Sequence, residues 1–313
     1  MNIWRILNNL LFQKWRKTIL LKKIKTITSL ATRAILYEVS LSPKPGLVDR
    51  FNNGAHNDMT FYHFIDSAFA LQPHLENYLR IGYQQSTDDL SKLFNQLRHE
   101  GQLAEQSMFN VTGNVNTHKG LNFAFALILG SIGYYFKEYP DANEIELNII
   151  FDYVKQMAEP LVKQDFKGVT EINAKSYGEK LYAKYGILGP RGEAATGYAY
   201  LLKEILPYID QRLEEQIDEE TIYLEVLLKL MSNIEDGNLI HRGGIKQWEE
   251  IKLESANLFQ KISNGADVHL LLNEYNEILV KRYLSPGGAA DLLCVSIFLT
   301  HLKRCVGRKK DSD

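Results

Sequence analysis

An all-α fold is predicted for this chain of 313 residues, on three observations. Apolar residues recur at three- and four-residue intervals through nearly every long segment, the spacing that lines one face of an α-helix. No stretch alternates apolar and polar residues over enough positions to require a sheet. Segment boundaries carry cap chemistry, with Ser86-Thr87-Asp88-Asp89 reading as an N-cap with first-turn acids and Gly186 as a C-terminal stop. The expectation is a single globular domain of about ten to twelve helices around a loop-lined central cleft.

Taken in order, residues 1–25 form a basic amphipathic segment without an acidic residue, predicted as an N-terminal helix. Arg5, Lys14, Arg16 and Lys17 interrupt its apolar run, which argues against a secretory signal or a spanning helix. Trp4, Leu7, Leu10, Leu11 and Trp15 would instead face a core, a second subunit or a membrane surface. The catalytic domain is expected over 26–303. Helical spacing covers 24–40, Phe61 to Leu79, and Asp89 to about Met108. Leu121 to Phe136 is so apolar that it reads as the central buried helix. Further helices fit Asp141 to Ala158, ending near Pro160, then Glu171 to Tyr185, Tyr198 to Leu206, Glu214 to Ile234, 247–262, 266–280 and Ala289 to Leu302. A charged tail, 304–313, closes the chain.

Five loops stand out between these helices: Leu41 to Asp58, Val111 to Gly120, Gly189 to Gly197, Glu235 to Gly244, and Leu284 to Gly288. Each combines glycine with charged or amide side chains and opens directly into a helix. Such junctions suit phosphates, because a helix N-terminus presents unpaired N–H groups and glycine permits close approach. Lys44, Arg50, Lys119, Arg191 and Arg242 are the cations placed to hold a polyphosphate. Asn53, His56, Asn116, Asn238, His241, Ser285 and Gly287 complete the candidate binding set. Asp49, Asp58, Asp236 and Asp291 are the candidate ligands for Mg²⁺, which uses one or two carboxylates beside phosphate oxygens.

Several functions are argued against. With 36 Lys and Arg against 38 Asp and Glu, net charge offers no global attraction to nucleic acid or membrane. Two cysteines, Cys294 and Cys305, are too few for a disulfide framework and fit a reducing cytoplasm. The sequence contains no Walker A loop, strand-linked GxGxxG, HExxH, CxxC or GxSxG.

The segments PKPGLVDRFNNGAHNDM (43–59), TGNVNTHKG (112–120), RGEAATGY (191–198), DGNLIHRGG (236–244) and SPGGAADLL (285–293) together resemble, in order, the hallmarks of the triphosphoribosyl-dephospho-CoA synthase family. The resemblance implies transfer of the triphosphoribosyl unit of ATP to the 2′-hydroxyl of 3′-dephospho-CoA, with release of adenine. The product is the prosthetic-group precursor for the acyl carrier protein of citrate lyase or, in a related branch, malonate decarboxylase. ATP and 3′-dephospho-CoA are then the expected partners, with Mg²⁺ as cofactor and a homodimer left open. The implied reaction makes Asp49 or Asp236 the candidate catalytic base and His118, Glu193 or His56 the candidate donor to the departing adenine. Asn114, where the family often has glycine, and the basic segment 1–25 depart from the pattern. The rival readings are a Mg²⁺-dependent ADP-ribosyl-type hydrolase and a non-catalytic helical scaffold.

Overall fold

The computed structural model describes residues 3–142 and 144–307, with side chains over 18–142 and 144–305. The amphipathic reading of the first seventeen side chains and most of the charged tail lie outside the described residues. Twelve α-helices and no strand are found among the described residues, as the apolar period predicts.

The chain starts with α1 (Ile3–Ser40), unbroken at residue 25, followed by the loop 41–60. Four long helices follow: α2 (Phe61–Gln84), α3 (Leu90–Val111), α4 (Lys119–Glu138) and α5 (Leu147–Asp165). Pro73 and Pro160 lie inside α2 and α5, which continue through them. A proline forfeits one helical hydrogen bond, a cost that packing here offsets. The expected end of α5 near Pro160 is therefore one turn too early. α6 (Tyr177–Tyr185) is shorter than expected, because 170–174 are taken up in turns capped by Asn173. α7 (Pro190–Ala195) makes the third loop partly helical, and a π-helical turn at Leu201–Ile205 leads into α8 (Leu206–Glu214).

The last group comprises α9 (Glu219–Asn233), α10 (Gly237–Ser263), α11 (Val268–Lys281) and α12 (Gly287–Gly307). The fourth expected loop is thus mostly the first two turns of α10. Asp236 caps that helix by accepting from Asn238 N–H at 2.9 Å and Leu239 N–H at 3.1 Å. The glycines that made the segment look like a loop appear instead as a kink at Gly244, whose φ is +77°.

α4 is the hub, flanked by α2, α3, α5 and α12. Its run from Ala124 to Phe136 is buried, with Phe125 meeting Phe298 of α12 edge to face at 5.4 Å. Two polar residues within this core satisfy each other: Tyr78 O–H donates to Asn122 at 2.6 Å, and Asn122 Nδ2 donates to the Gly101 carbonyl at 3.0 Å. The α2–α4 approach depends on missing side chains. A Cβ at Gly133 would lie 2.0 Å from the Leu79 carbonyl oxygen, and one at Gly82 1.9 Å from that of Gly130. Asn114 takes φ +69°, a left-handed conformation that asparagine tolerates better than most residues. No helix among the described residues is long and apolar enough to cross a membrane.

Candidate functional site

A cleft of about 390 Å³ opens where the first, second, fourth and fifth motif segments converge. Its wall includes Lys44, His56 and Asp58 from the first, Asn116 to Gly120 from the second, Asn238, His241 and Arg242 from α10, and Ser285, Gly287 and Asp291 at the start of α12. The third segment lines a smaller void behind it, of about 20 Å³, through Pro190, Glu193 and Tyr198. Gly120 and Asp291 border both spaces.

The first loop owes its path to Asp49, which is 1% exposed. One carboxylate oxygen accepts from Phe51 N–H at 2.8 Å, Asn52 N–H at 2.9 Å and Asn52 Nδ2 at 3.1 Å. The other accepts from Ser42 Oγ at 2.8 Å and Lys44 N–H at 3.3 Å. Gly46, at φ +73°, lies where a Cβ would be 2.2 Å from the Leu284 carbonyl oxygen, so this loop and the fifth touch through bare backbone. Arg242 ties three segments together: Nη1 donates to the Ala55 and Tyr283 carbonyls at 2.9 and 3.2 Å, and Nη2 donates to His56 Nδ1 at 3.0 Å. His56 is therefore protonated on Nε2, which donates to Ser285 Oγ at 2.8 Å. Burial first, and then the Arg242 charge, lower its pKa and keep it neutral.

Asp236 holds two helices by one carboxylate. Its first oxygen caps α10, and its second accepts from Ala289 N–H at 3.0 Å at the start of α12. The N–H groups of both helix starts are thereby engaged, and Asp236 is not part of the cleft wall. The start of α4 differs, since His118 provides no side-chain cap there. Asn116 accepts from Lys119 N–H at 3.1 Å, and Leu121 N–H donates to Asp291.

His118, 3% exposed, meets Phe64 edge-on at 5.0 Å, and its Nδ1 lies 2.7 Å from Ser67 Oγ. Its Nε2 has no partner, and neither has the buried Oγ1 of Thr117. Burial, assisted by Lys44, lowers the His118 pKa to about 3. Glu38, buried at the end of α1, forms an ion pair with Lys44. Asp291 is half-buried, and burial first, then the charges of Glu38 and Asp236, push its pKa well above the usual carboxylate range. Glu193 is raised as well, by burial and by Glu235. The Tyr198 hydroxyl beside these acids is buried and unpartnered.

The remaining expected residues lie elsewhere. Arg50 pairs with Glu220 at 3.0 Å over an exposed Phe51 ring. Arg191 lies 3.7 Å from Asp165 and over Phe166. Asn53 is exposed, and its carbonyl accepts from His56 N–H at 3.2 Å. Glu38, Phe64, Ser67, Thr117 and Tyr198 complete the site without having been singled out. For Glu38 a signal existed: it falls on the apolar face of α1 in register with Ala31, Ala34 and Ile35. The aromatic and hydroxyl residues gave none, because their spacing is that of ordinary core positions.

A helical scaffold whose glycine-bearing loops close on a cleft with cations, carboxylates and a helix start has the makeup of an enzyme for a phosphorylated substrate. The family model described as CitG, ATP:dephospho-CoA triphosphoribosyl transferase, matches residues 24–310. Proteins called probable 2-(5″-triphosphoribosyl)-3′-dephosphocoenzyme-A synthase in Streptococcus pyogenes serotypes M5 (strain Manfredo), M49 (strain NZ131) and M1 are each 44% identical over 288 residues, covering 90% of this chain and 98% of theirs. The chain belongs to this transferase family. No solved structure matches it.

Proposed function

We propose that this transferase moves the triphosphoribosyl group of ATP to the 2′-hydroxyl of 3′-dephospho-CoA and releases adenine, making the prosthetic-group precursor for citrate lyase in the cytoplasm. The observation that carries the reading is the meeting of four motif segments around one cleft, with the unpartnered His118 Nε2 among its wall residues. The reaction breaks the bond from C1″ to adenine and joins C1″ to the acceptor oxygen. The hydroxyl proton goes to a base, and the electrons of the broken bond leave with adenine, which takes up a proton.

Asp49 and Asp236 are assigned to holding the loops, since backbone donors already engage their oxygens. Asp291 lines the cleft near Glu38 and Asp236, and its raised pKa favours proton uptake. His118 keeps a proton on Nε2 when Ser67 donates to Nδ1, and it would then hydrogen-bond a ring nitrogen of the departing adenine. Lys119, Arg242 and the start of α4 face the triphosphate.

Mg²⁺ would neutralise triphosphate charge. Among the described residues no three His, Cys, Asp or Glu side chains are grouped to hold a metal ion. The donor set therefore fits an ion carried chiefly by phosphate oxygens, with Asp58 at the cleft mouth as its protein ligand. Incubating the protein with ATP, Mg²⁺ and 3′-dephospho-CoA and following adenine by chromatography tests the reading. Adenine should appear only when both substrates are present. Release without acceptor would make the protein a hydrolase, and no release with both would leave it a scaffold.

A further inference from the structure

His241 is exposed on the cleft wall, and the ring of Tyr177 meets it edge to face, with centroids 4.4 Å apart and planes at 73°. Their meeting is built into the fold. Leu181, one turn along α6 from Tyr177, and Ile187 bury against Ile240 of α10, with Ile245 and Trp248 around them. This small apolar cluster is separate from the main core and pins α6 beside α10. The start of α6 is closed by a capping box between Ser176 and Glu179. Tyr177 is thus held next to His241, although its own ring is 40% exposed.

On α10, Asn238 lies three residues before His241 and four before Arg242, so the helix brings all three to one side. All three line the cleft. A side-chain amide beside aromatic rings matches what a purine offers: a face that stacks and, for adenine, an N6/N7 edge that an amide can pair in bidentate fashion.

We propose that Tyr177, His241 and Asn238 form the subsite for the adenine of the acceptor, 3′-dephospho-CoA. The proposal rests on the transfer reaction above, in which two adenines enter one cleft. The acceptor's adenine stays on the product, and its pantetheine arm has to run out to solvent, which places it at the exposed rim. The adenine of ATP has to be parted from C1″ with a hydrogen bond to its ring, which places it inward, at the buried and unpartnered His118 Nε2.

The test is steady-state kinetics with each substrate varied separately, for the wild type and for Tyr177→Ala, His241→Ala, Tyr177→Phe and His241→Phe. Equilibrium dialysis of 3′-dephospho-CoA against each protein without ATP supplies a readout independent of turnover. Loss of one stacking partner should raise KM and Kd for 3′-dephospho-CoA on the order of 10-fold in both alanine variants. KM for ATP should stay within about twofold, and the phenylalanine variants should restore acceptor affinity. Unchanged acceptor KM and Kd in both alanine variants, or a rise confined to ATP, would overturn the subsite while leaving the transferase reading in place. A wild type that binds neither substrate nor releases adenine would remove both.

Discussion

Asp236 and Asp291 meet at the start of α12 and call for opposite outcomes on substitution. Asp236 is buried and shares its oxygens among backbone N–H groups of two helices. Asp236→Asn replaces one acceptor oxygen with a donor, and each stranded N–H costs about 1–3 kcal/mol, so the urea midpoint should fall markedly. Asp291 accepts from Leu121 N–H, and burial first, then Glu38 and Asp236, push its pKa up, so Asp291→Asn removes a carboxylate whose charged form is disfavoured there. Its urea midpoint should hold or rise, while adenine release falls by about 10²-fold or more. Full turnover in Asp291→Asn would refute the role given to it. His118 has a pH signature of its own. Its pKa is about 3 when folded against about 6.5 when unfolded, so the unfolded chain binds the extra proton between those values. Its contribution to stability is complete above pH 6.5 and is lost as pH falls toward 3. Urea titrations of His118→Gln across that window should show a shallower acid loss than the wild type.

The pairing of α2 with α4 is the contact on which the cleft depends, because Ser67 and Phe64 project from one helix and His118 precedes the other. That contact is backbone against backbone at Gly82, Gly130 and Gly133. Gly133→Ala forces its methyl group onto the Leu79 carbonyl and should cost about 1–3 kcal/mol, read as a lower urea midpoint. As the two helices shift, the Ser67–His118 hydrogen bond is strained, and adenine release should fall along with stability. A glycine is conspicuous in an apolar helical run, but the run cannot say which helix will lie against it.

For the whole molecule, a near-zero net charge leaves the cations at the cleft to attract substrate locally. Lys119 and Arg242 are exposed in part to solvent and hence to salt. Raising ionic strength from about 0.05 M to about 0.3 M shortens the Debye length by a factor of about 2.4 and should raise KM for ATP with little change in kcat. The helical fold, its central helix and the motif segments were legible in the sequence, because apolar periodicity and cap residues act over one or two turns and are written along the chain. The fates of individual charged residues were not. Asp49, Asp236 and Asp291 look alike as acids beside glycine, yet two are consumed by backbone donors and one opens on the cleft. Arg50 and Arg191 look like Arg242, yet they pair elsewhere. Helix ends that arrive from distant parts of the chain settle these outcomes, because a carboxylate or guanidinium takes its role from the donors, acceptors and solvent that folding leaves around it.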